Sequence, residues 1–332
     1  MIRHQVVDRR TCAVLDEPLF ADDIVRYVYS DIREHSYFLF NLITSKRMSS
    51  LISHMVYDFP TGARLLGTKA LASRLGIDLT ECLCPERLTT PRRLFERKIK
   101  FWQRRPMPTD DRAVVSPADA RMLMGPIGKL GAIRIKEKFF SYGELLGDDR
   151  TGHLATFASG SFAVFRLTPE KYHWNHFPVS GVVEDVYELD GAYHSCNPAA
   201  CIAVATPYSK NRRTVTVINT DTSGGTHVGR VAMIEVVALM IGVIEQRYST
   251  HRYDDPCPAT PGMFVEKGAP KSLYRPGSSV DILLFEKDRV AFSQDIVANL
   301  HRTDVNSRYT LGFDTPIVET DVAVRSEIGR RK

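Results

Sequence analysis

Three short segments of this chain carry side chains able to do chemistry. Ser116-Pro117-Ala118-Asp119-Ala120 supplies a carboxylate. Tyr172-His173-Trp174-Asn175-His176-Phe177-Pro178-Val179-Ser180-Gly181 supplies two histidines at HxxH spacing. Lys267-Gly268 is followed, after eight residues, by Gly277-Ser278-Ser279 and the mostly apolar run 280–285. A carboxylate, an imidazole and a hydroxyl together can make a nucleophile activated by a general base whose ring a third group orients. Each segment alone is commonplace. HxxH arises by chance, Gly-Ser-Ser before a strand is an ordinary turn, and Asp after Ser-Pro is an ordinary loop residue.

Other chemistries fit less of the chain. A serine hydrolase would carry a G-x-S-x-G elbow, which Ser159-Gly160-Ser161 lacks. A metal site on His173 and His176 would need a third ligand such as His194 or His227, with no motif to supply it. Gly224-Gly225-Thr226-His227-Val228-Gly229 lacks the lysine of a phosphate loop. The basic residues accompany no nucleic-acid-binding motif.

The elements that must position these groups differ along the chain. At 332 residues the chain is long enough for one large domain or two smaller ones, and 43% hydrophobic with 25% charged residues excludes disordered and fibrous classes. The net charge of +5 suits an anionic surface and an ordinary enzyme alike. The first hundred residues read as helical: Met48, Leu51, Ile52 and Met55 share one helical face. Thr90-Pro91 before Leu94, Phe95 and Ile99 reads as an N-cap, a proline at the first helical position and an apolar stripe. Arg92, Arg93, Arg97, Lys98, Lys100, Arg104 and Arg105 form either a solvated face or a docking surface for anionic lipid. From about Met107 the chain turns to short β-rich runs at 162–167, 214–218, 230–245 and 279–285, with Ile317, Val318, Val322 and Val324 offering another strand. The run 230–245 reads as a strand pair buried on both faces. The expected architecture is α+β, with a helical, basic region over 1–105 and a β-rich catalytic domain over 106–332. The apolar stretches 37–43 and 236–244 fall far short of the roughly 20 residues that span a bilayer. Cys12, Cys82, Cys84, Cys196, Cys201 and Cys257 form no CxxC framework and no secretory signal precedes them, so reduced thiols in the cytoplasm are expected.

In combination and in order, the three segments resemble those of the phosphatidylserine decarboxylase family: Ser-Pro-x-Asp-Gly, Tyr-His-x-x-His-x-Pro and Lys-Gly…Gly-Ser-Thr. Residues 95–107 resemble its basic Phe-Phe-x-Arg…Arg-Pro approach to the Asp segment. Ile135-Lys136 and 141–147 resemble its Ile-Lys-Gly…Tyr-Ser…Leu-Leu-Gly stretch, 236–244 its Val-Gly-Ala-x-x-Val-Gly-Ser-Ile strand, and 324–329 its closing strand. The likeness spans 92–330. Ala120 and Glu137 replace glycines, Ser279 a threonine, Phe140 a tyrosine and Trp174 a common arginine, while Pro270 and Ser272 replace Glu and Gly. None of these removes a group that self-processing needs.

The resemblance implies a self-cleaving zymogen. Asp119 orients His176, and His176 is the base for Ser278, which attacks the Gly277 carbonyl. Elimination from the resulting ester releases the chain ending at Gly277 and, after hydrolysis, leaves Ser278 as a pyruvoyl cofactor. Its carbonyl condenses with the substrate amine and takes up the electrons left when carbon dioxide departs. His173 is the implied aid to decarboxylation or reprotonation, and taken alone reads equally as a hydrogen-bonded pocket residue. The implied activity converts phosphatidylserine to phosphatidylethanolamine, peripherally at an anionic membrane and by a homodimer, with no metal and no nucleic acid. The departures at Trp174, Pro270 and Ser272 keep open a soluble decarboxylase of a free aromatic amino acid such as tryptophan. A non-processing binding protein on the same fold is the third reading.

Overall fold

The computed structural model describes residues 3–19, 22–57, 63–127, 139–239, 243–276 and 279–332. Its strands are, in chain order, β1 (Gln5–Asp8), β2 (Val14–Asp16), β3 (Ala113–Val115), β4 (Ala120–Pro126), β5 (Ser161–Leu167), β6 (Trp174–His176), β7 (Gly181–Leu189) and β8 (Arg213–Asn219). They continue as β9 (Arg230–Val237), β10 (Ile244–Gln246), β11 (Phe264–Val265), β12 (Pro270–Tyr274), β13 (Ser279–Phe285), β14 (Val290–Phe292), β15 (Thr320–Val322) and β16 (Glu327–Arg331). Ten form one sheet in the order β11-β7-β8-β9-β13-β5-β4-β15-β1-β2, and two three-stranded sheets, β10-β12-β6 and β14-β16-β3, flank it. With helices at the N-terminus and large antiparallel sheets after them, the fold is α+β, as the sequence pattern indicates.

β13 lies at the middle of the large sheet, and its side chains show why. Side chains alternate across a strand. Val280, Ile282 and Leu284 therefore enter one core with Phe162, Val164, Ala232 and Ile234, while Leu283 and Phe285 enter a second with Ala163, Phe165, Val231 and Met233. Both faces are covered, so the strand reads as nearly continuous apolar sequence. The same period places Ser279 and Asp281 on the face of Leu283, and the β13–β9 register sets Asp281 opposite Glu235.

Three expectations need correction. Residues 230–245 are not a strand pair: β9 has both edges taken, by β8 and β13, and β10 joins a different sheet against β12. The start of the chain is not helical. Val6 and Val7 are buried in β1, which pairs in parallel with β15 and antiparallel with β2, so the first strands extend the large sheet. Helices do follow, including Tyr37–Ile43, Lys46–Tyr57 and Ala63–Arg74, the last kinked at Gly67 (φ 69°). Leu51 is 52% exposed, and the side chains of Ile52 and Met55 lie outside the described residues. The Thr90 cap is as expected, its hydroxyl accepting from Arg93 N at 3.2 Å, but the helix Pro91–Phe95 stops short of Ile99. The Ile99 backbone N–H and C=O are instead bound to the Tyr253 hydroxyl, at 3.1 and 2.9 Å, and cannot join a helical ladder. All six cysteines are free thiols.

Candidate active site

The Asp, His and Lys-Gly segments meet through their backbones. His176 N–H donates to Pro117 O at 2.8 Å, tying β6 to the loop between β3 and β4 that holds Asp119. Gly268 N–H donates to Phe177 O and Phe177 N–H to Ala269 O, at 2.8 and 2.9 Å, which ties the Lys-Gly turn to the same strand. Gly268 has φ +75°, a conformation that a side chain resists, and a Cβ there would stand 2.4 Å from Met107 Sδ. Lys267 Nζ donates to the carbonyls of Asp110, Asp111 and Ala113 and so clamps the approach to β3.

Asp119 is buried and fully engaged. Arg105 donates to both carboxylate oxygens (Nε to Oδ1 at 2.9 Å, Nη2 to Oδ2 at 2.8 Å), and Val324 N–H donates to Oδ1 at 2.7 Å. Burial alone would raise this carboxyl; the Arg105 guanidinium outweighs it and holds Asp119 below the usual carboxylate range. Arg105 in turn binds Glu81 at 2.9–3.0 Å, so residues ahead of the helix Pro91–Phe95 take part in the site. No hydrogen bond joins Asp119 to His176. Asp119 acts on that ring through its charge and through the shared loop.

The His176 ring is buried with both nitrogens occupied: Nδ1 lies 2.8 Å from Gly268 O and Nε2 3.0 Å from the Tyr172 hydroxyl. The carbonyl can only accept, so Nδ1 carries the proton and Nε2 is the basic nitrogen. Burial pushes the ring down to about 3, with Arg325 adding to the effect and the Gly268 bond and Asp119 opposing it, so it is a neutral base at ordinary pH. His173 is also wholly buried and held neutral, first by burial and then by Arg97. It stacks on Phe95 at 3.5 Å between centroids, and neither ring nitrogen has a hydrogen-bond partner among the described residues.

Gly277 and Ser278 lie outside the described residues. On the strands that flank them is a dense group of buried polar side chains. Lys271 Nζ donates to Glu235 Oε2 at 2.5 Å and to Gln246 Oε1 at 2.9 Å. Ser272 and Asn175 both donate to Glu235 Oε1, Asn175 at 3.1 Å. Tyr274 donates to Asp281 Oδ1 at 2.7 Å. Burial, and then the charge on Glu235, drive Asp281 far above the usual carboxylate range and so favour its protonated form. Among the described residues, Asp281 Oδ2, Asn175 Oδ1, Ser279 Oγ and both nitrogens of His173 have no hydrogen-bond partner. Buried polar groups are rarely left so. Their concentration beside one strand start marks a place where another chemical group is expected.

A family model described as phosphatidylserine decarboxylase matches residues 92–309, more than half of the chain. The chain belongs to that family. A phosphatidylserine decarboxylase proenzyme of Chlamydia trachomatis serovar L2 is 34% identical over 238 residues, covering 71% of this chain and 68% of its own. The proenzyme of Chlamydia muridarum is 29% identical over 302 residues (88% and 90%), and that of Clostridium tetani 26% over 328 residues (98% and 97%). As a member of the family the protein is a carboxy-lyase.

Within this decarboxylase fold the departures from the family motifs have definite places. Trp174 is buried against Tyr253, Leu273 and Ile99 and donates to Glu96 O at 3.3 Å, so it is a packing residue. Pro270 sits opposite His176 in the β12–β6 pairing, and Ser272 opposite Asn175 with its hydroxyl on Glu235. Ala120 opens β4; Ile135, Lys136 and Glu137 lie outside the described residues. The basic segment is only partly a solvated face. Arg97 is buried and donates to Leu94 O and Glu170 O, and Arg105 is committed to Asp119 and Glu81. Sequence reading missed Glu235, Lys271, Tyr274 and Asp281. The available signal was a single carboxylate inside each of two otherwise apolar strands. His194 packs against Phe40 and Tyr29, away from this site. Among the described residues the one group of three potential metal ligands is His4, Glu17 and Glu319. Arg166 lies between both carboxylates, at 2.5–2.9 Å, and Arg121 reaches Glu17 at 3.3 Å, so the two carboxylates face two guanidinium groups.

Proposed function

We propose that the chain is a proenzyme that cuts itself between Gly277 and Ser278, and that the mature enzyme converts phosphatidylserine to phosphatidylethanolamine and carbon dioxide. The observations that carry this are a charged Asp119 and a neutral, basic His176 tied together through the His176 N–H to Pro117 O bond, and, on the strands beside residue 278, buried polar atoms with no partner among the described residues. His176 would take the hydroxyl proton of Ser278 as it attacks the Gly277 carbonyl. The cofactor expected at residue 278 is a pyruvoyl group, whose carbonyl condenses with the substrate amine and withdraws the electrons left by decarboxylation. The orphaned atoms suit it. His173, Asn175 and Ser279 are available to bind its oxygens and the substrate carboxylate. Asp281, in its protonated form, is the group able to hand a proton to the α-carbon, and His173 would assist by hydrogen bonding to the reacting groups.

A lipid substrate is supported by the names of the relatives, phosphatidylserine decarboxylase proenzymes, and by the exposed apolar side chains on the N-terminal helices: Ile24 and Phe38 are 66% and 79% exposed, with Tyr27, Leu39 and Leu42 beside them in sequence. No described helix is long and apolar enough to cross a membrane. A face of this kind suits shallow insertion at an interface. Denaturing intact-mass spectrometry of wild type and Ser278→Ala tests the cleavage: a fragment 278–332 blocked by pyruvoyl in wild type, and an intact mutant, are expected. Wild type that stays whole when incubated with anionic vesicles refutes it. Carbon dioxide release from phosphatidylserine micelles, compared with a panel of free amino acids, tests the substrate. Release from amino acids alone refutes the lipid.

A further inference from the structure

The second partner of His176 does not end at Tyr172. Tyr172 OH lies 2.7 Å from Tyr253 OH, and Tyr253 OH contacts both Ile99 O and Ile99 N–H, at 2.9 and 3.1 Å. Tyr253 belongs to none of the three motifs. It lies on the connection between β10 and β11, and its buried ring is packed by Phe101 and Trp174, edge-on at 5.4 and 4.7 Å. We propose that Tyr253 is a positioning residue for the reaction: it anchors Tyr172 on His176 Nε2 and leaves the Tyr172 hydroxyl as the route by which a proton reaches that ring.

An imidazole nitrogen has one in-plane site, and both sites of this ring are filled, so a proton enters Nε2 through the Tyr172 hydroxyl or by displacing it. Four contacts need a hydrogen between their heavy atoms: Nδ1 to Gly268 O, Nε2 to Tyr172, Tyr172 to Tyr253, and Tyr253 to Ile99 O. Neutral His176 and two phenols hold three. With the ring neutral, Tyr172 donates to Nε2 and Tyr253 can serve only one of its two acceptors. When a hydroxyl is deprotonated, the Tyr172 O–H bond breaks as the Nε2–H bond forms, and the Tyr172 oxygen takes the incoming proton. Tyr172 then donates to Tyr253 and Tyr253 to Ile99 O. All four contacts are filled, the charge rests on the imidazolium, and no phenolate forms. Both phenols are pushed above the ordinary tyrosine value, first by burial, which also disfavours a resting phenolate. A ring that burial makes a weak base is thereby given a full set of partners in its protonated state.

This inference rests on His176 acting as the base of self-cleavage, and its test separates the two. Cleavage rates are compared for Tyr253→Phe, Tyr172→Phe and the double variant, with melting temperatures alongside. In the uncleavable Ser278→Ala protein, 15N spectra of His176 report whether Nε2 accepts a hydrogen bond. Tyr253→Phe is expected to slow cleavage about tenfold, the rate equivalent of one hydrogen bond. The double variant should be no slower than Tyr172→Phe, and Tyr253→Phe should weaken the hydrogen-bonded signature at Nε2. Multiplicative rate losses, a wild-type rate in Tyr253→Phe or an unchanged Nε2 resonance overturns the proposal. Should wild type never cleave, the proenzyme reading falls while the Nε2 spectra still decide on Tyr253.

Discussion

Lys271→Met is the perturbation whose consequences the structure defines most closely. Lys271 and Glu235 are both wholly buried, 2.5 Å apart, and Glu235 also accepts from Ser272, Asn175 and Gln246. A methionine fills similar volume but strands the carboxylate. Breaking a buried pair by removing one partner costs about 3–5 kcal/mol. The three remaining donors place the loss toward the lower figure, about 3 kcal/mol, or a melting-temperature drop of roughly 4 °C for a chain of this length. The measurement is a thermal or urea melt in the Ser278→Ala background, where only one covalent species is present. Adding Glu235→Gln should restore more than half of the loss, because the amide oxygen still accepts from Ser272 and Asn175 while the charge is gone. A single variant within about 1 kcal/mol of wild type, or a double whose losses add, would refute the reasoning.

The pH dependence of the same variant carries a sign. In wild type, burial would raise Glu235, but Lys271 and the hydrogen bonds win and hold it below its ordinary value. A group depressed in the folded state contributes stability above its unfolded pKa and loses it as pH falls through the folded value. With Lys271 gone, desolvation dominates and Glu235 rises above its unfolded value. The contribution is then present at low pH and lost as pH rises. The melting-temperature gap between wild type and Lys271→Met should narrow on acidification from pH 8 to pH 5, and a widening gap would contradict the assignment.

Further outcomes follow from the site itself. His176→Ala should slow self-cleavage by about 10²–10⁴-fold, followed by denaturing mass spectrometry, and wild-type cleavage would remove His176 from the role of base. Gly268→Ala forces a side chain into a φ of +75° against Met107, at a cost of about 1–3 kcal/mol. It also re-aims the carbonyl that fixes the His176 tautomer, so cleavage should slow by more than the loss of stability explains. Arg105→Met leaves the buried Asp119 with only the Val324 N–H, so a loss of about 3–5 kcal/mol and slow maturation are expected, with Arg105→Lys intermediate.

The legible parts of the fold were those in which a residue type has a local job. Thr90-Pro91 caps a helix wherever it sits, and 279–285 is apolar enough to be a central strand before its neighbours are known. The Lys-Gly pair was legible as a motif, but its use was not: Gly268 matters because its backbone turns with positive φ and aims a carbonyl at a ring 92 residues earlier. The run 230–245 was misread because periodicity records burial and not pairing. The helical reading of the N-terminus failed because β1 is held by strand pairing, Gln5–Val7 against β2 in a hairpin and Val7–Asp8 against β15, more than three hundred positions away.

The sequence by itself determined which groups are present in this family member: an Asp, two His and a Gly-Ser bond in the order of the family's motifs, and strands whose alternation could bury them. Tertiary structure alone decided their chemical state. Asp119 is charged because Arg105 folds onto it, His176 is a neutral base because burial outweighs its partners, and Asp281 is pushed toward its acid form by burial and then by Glu235 facing it across a strand pair. Protonation depends on distance and dielectric, which act between residues remote in the chain. A linear pattern names the groups, and only their packing sets the charge each one carries.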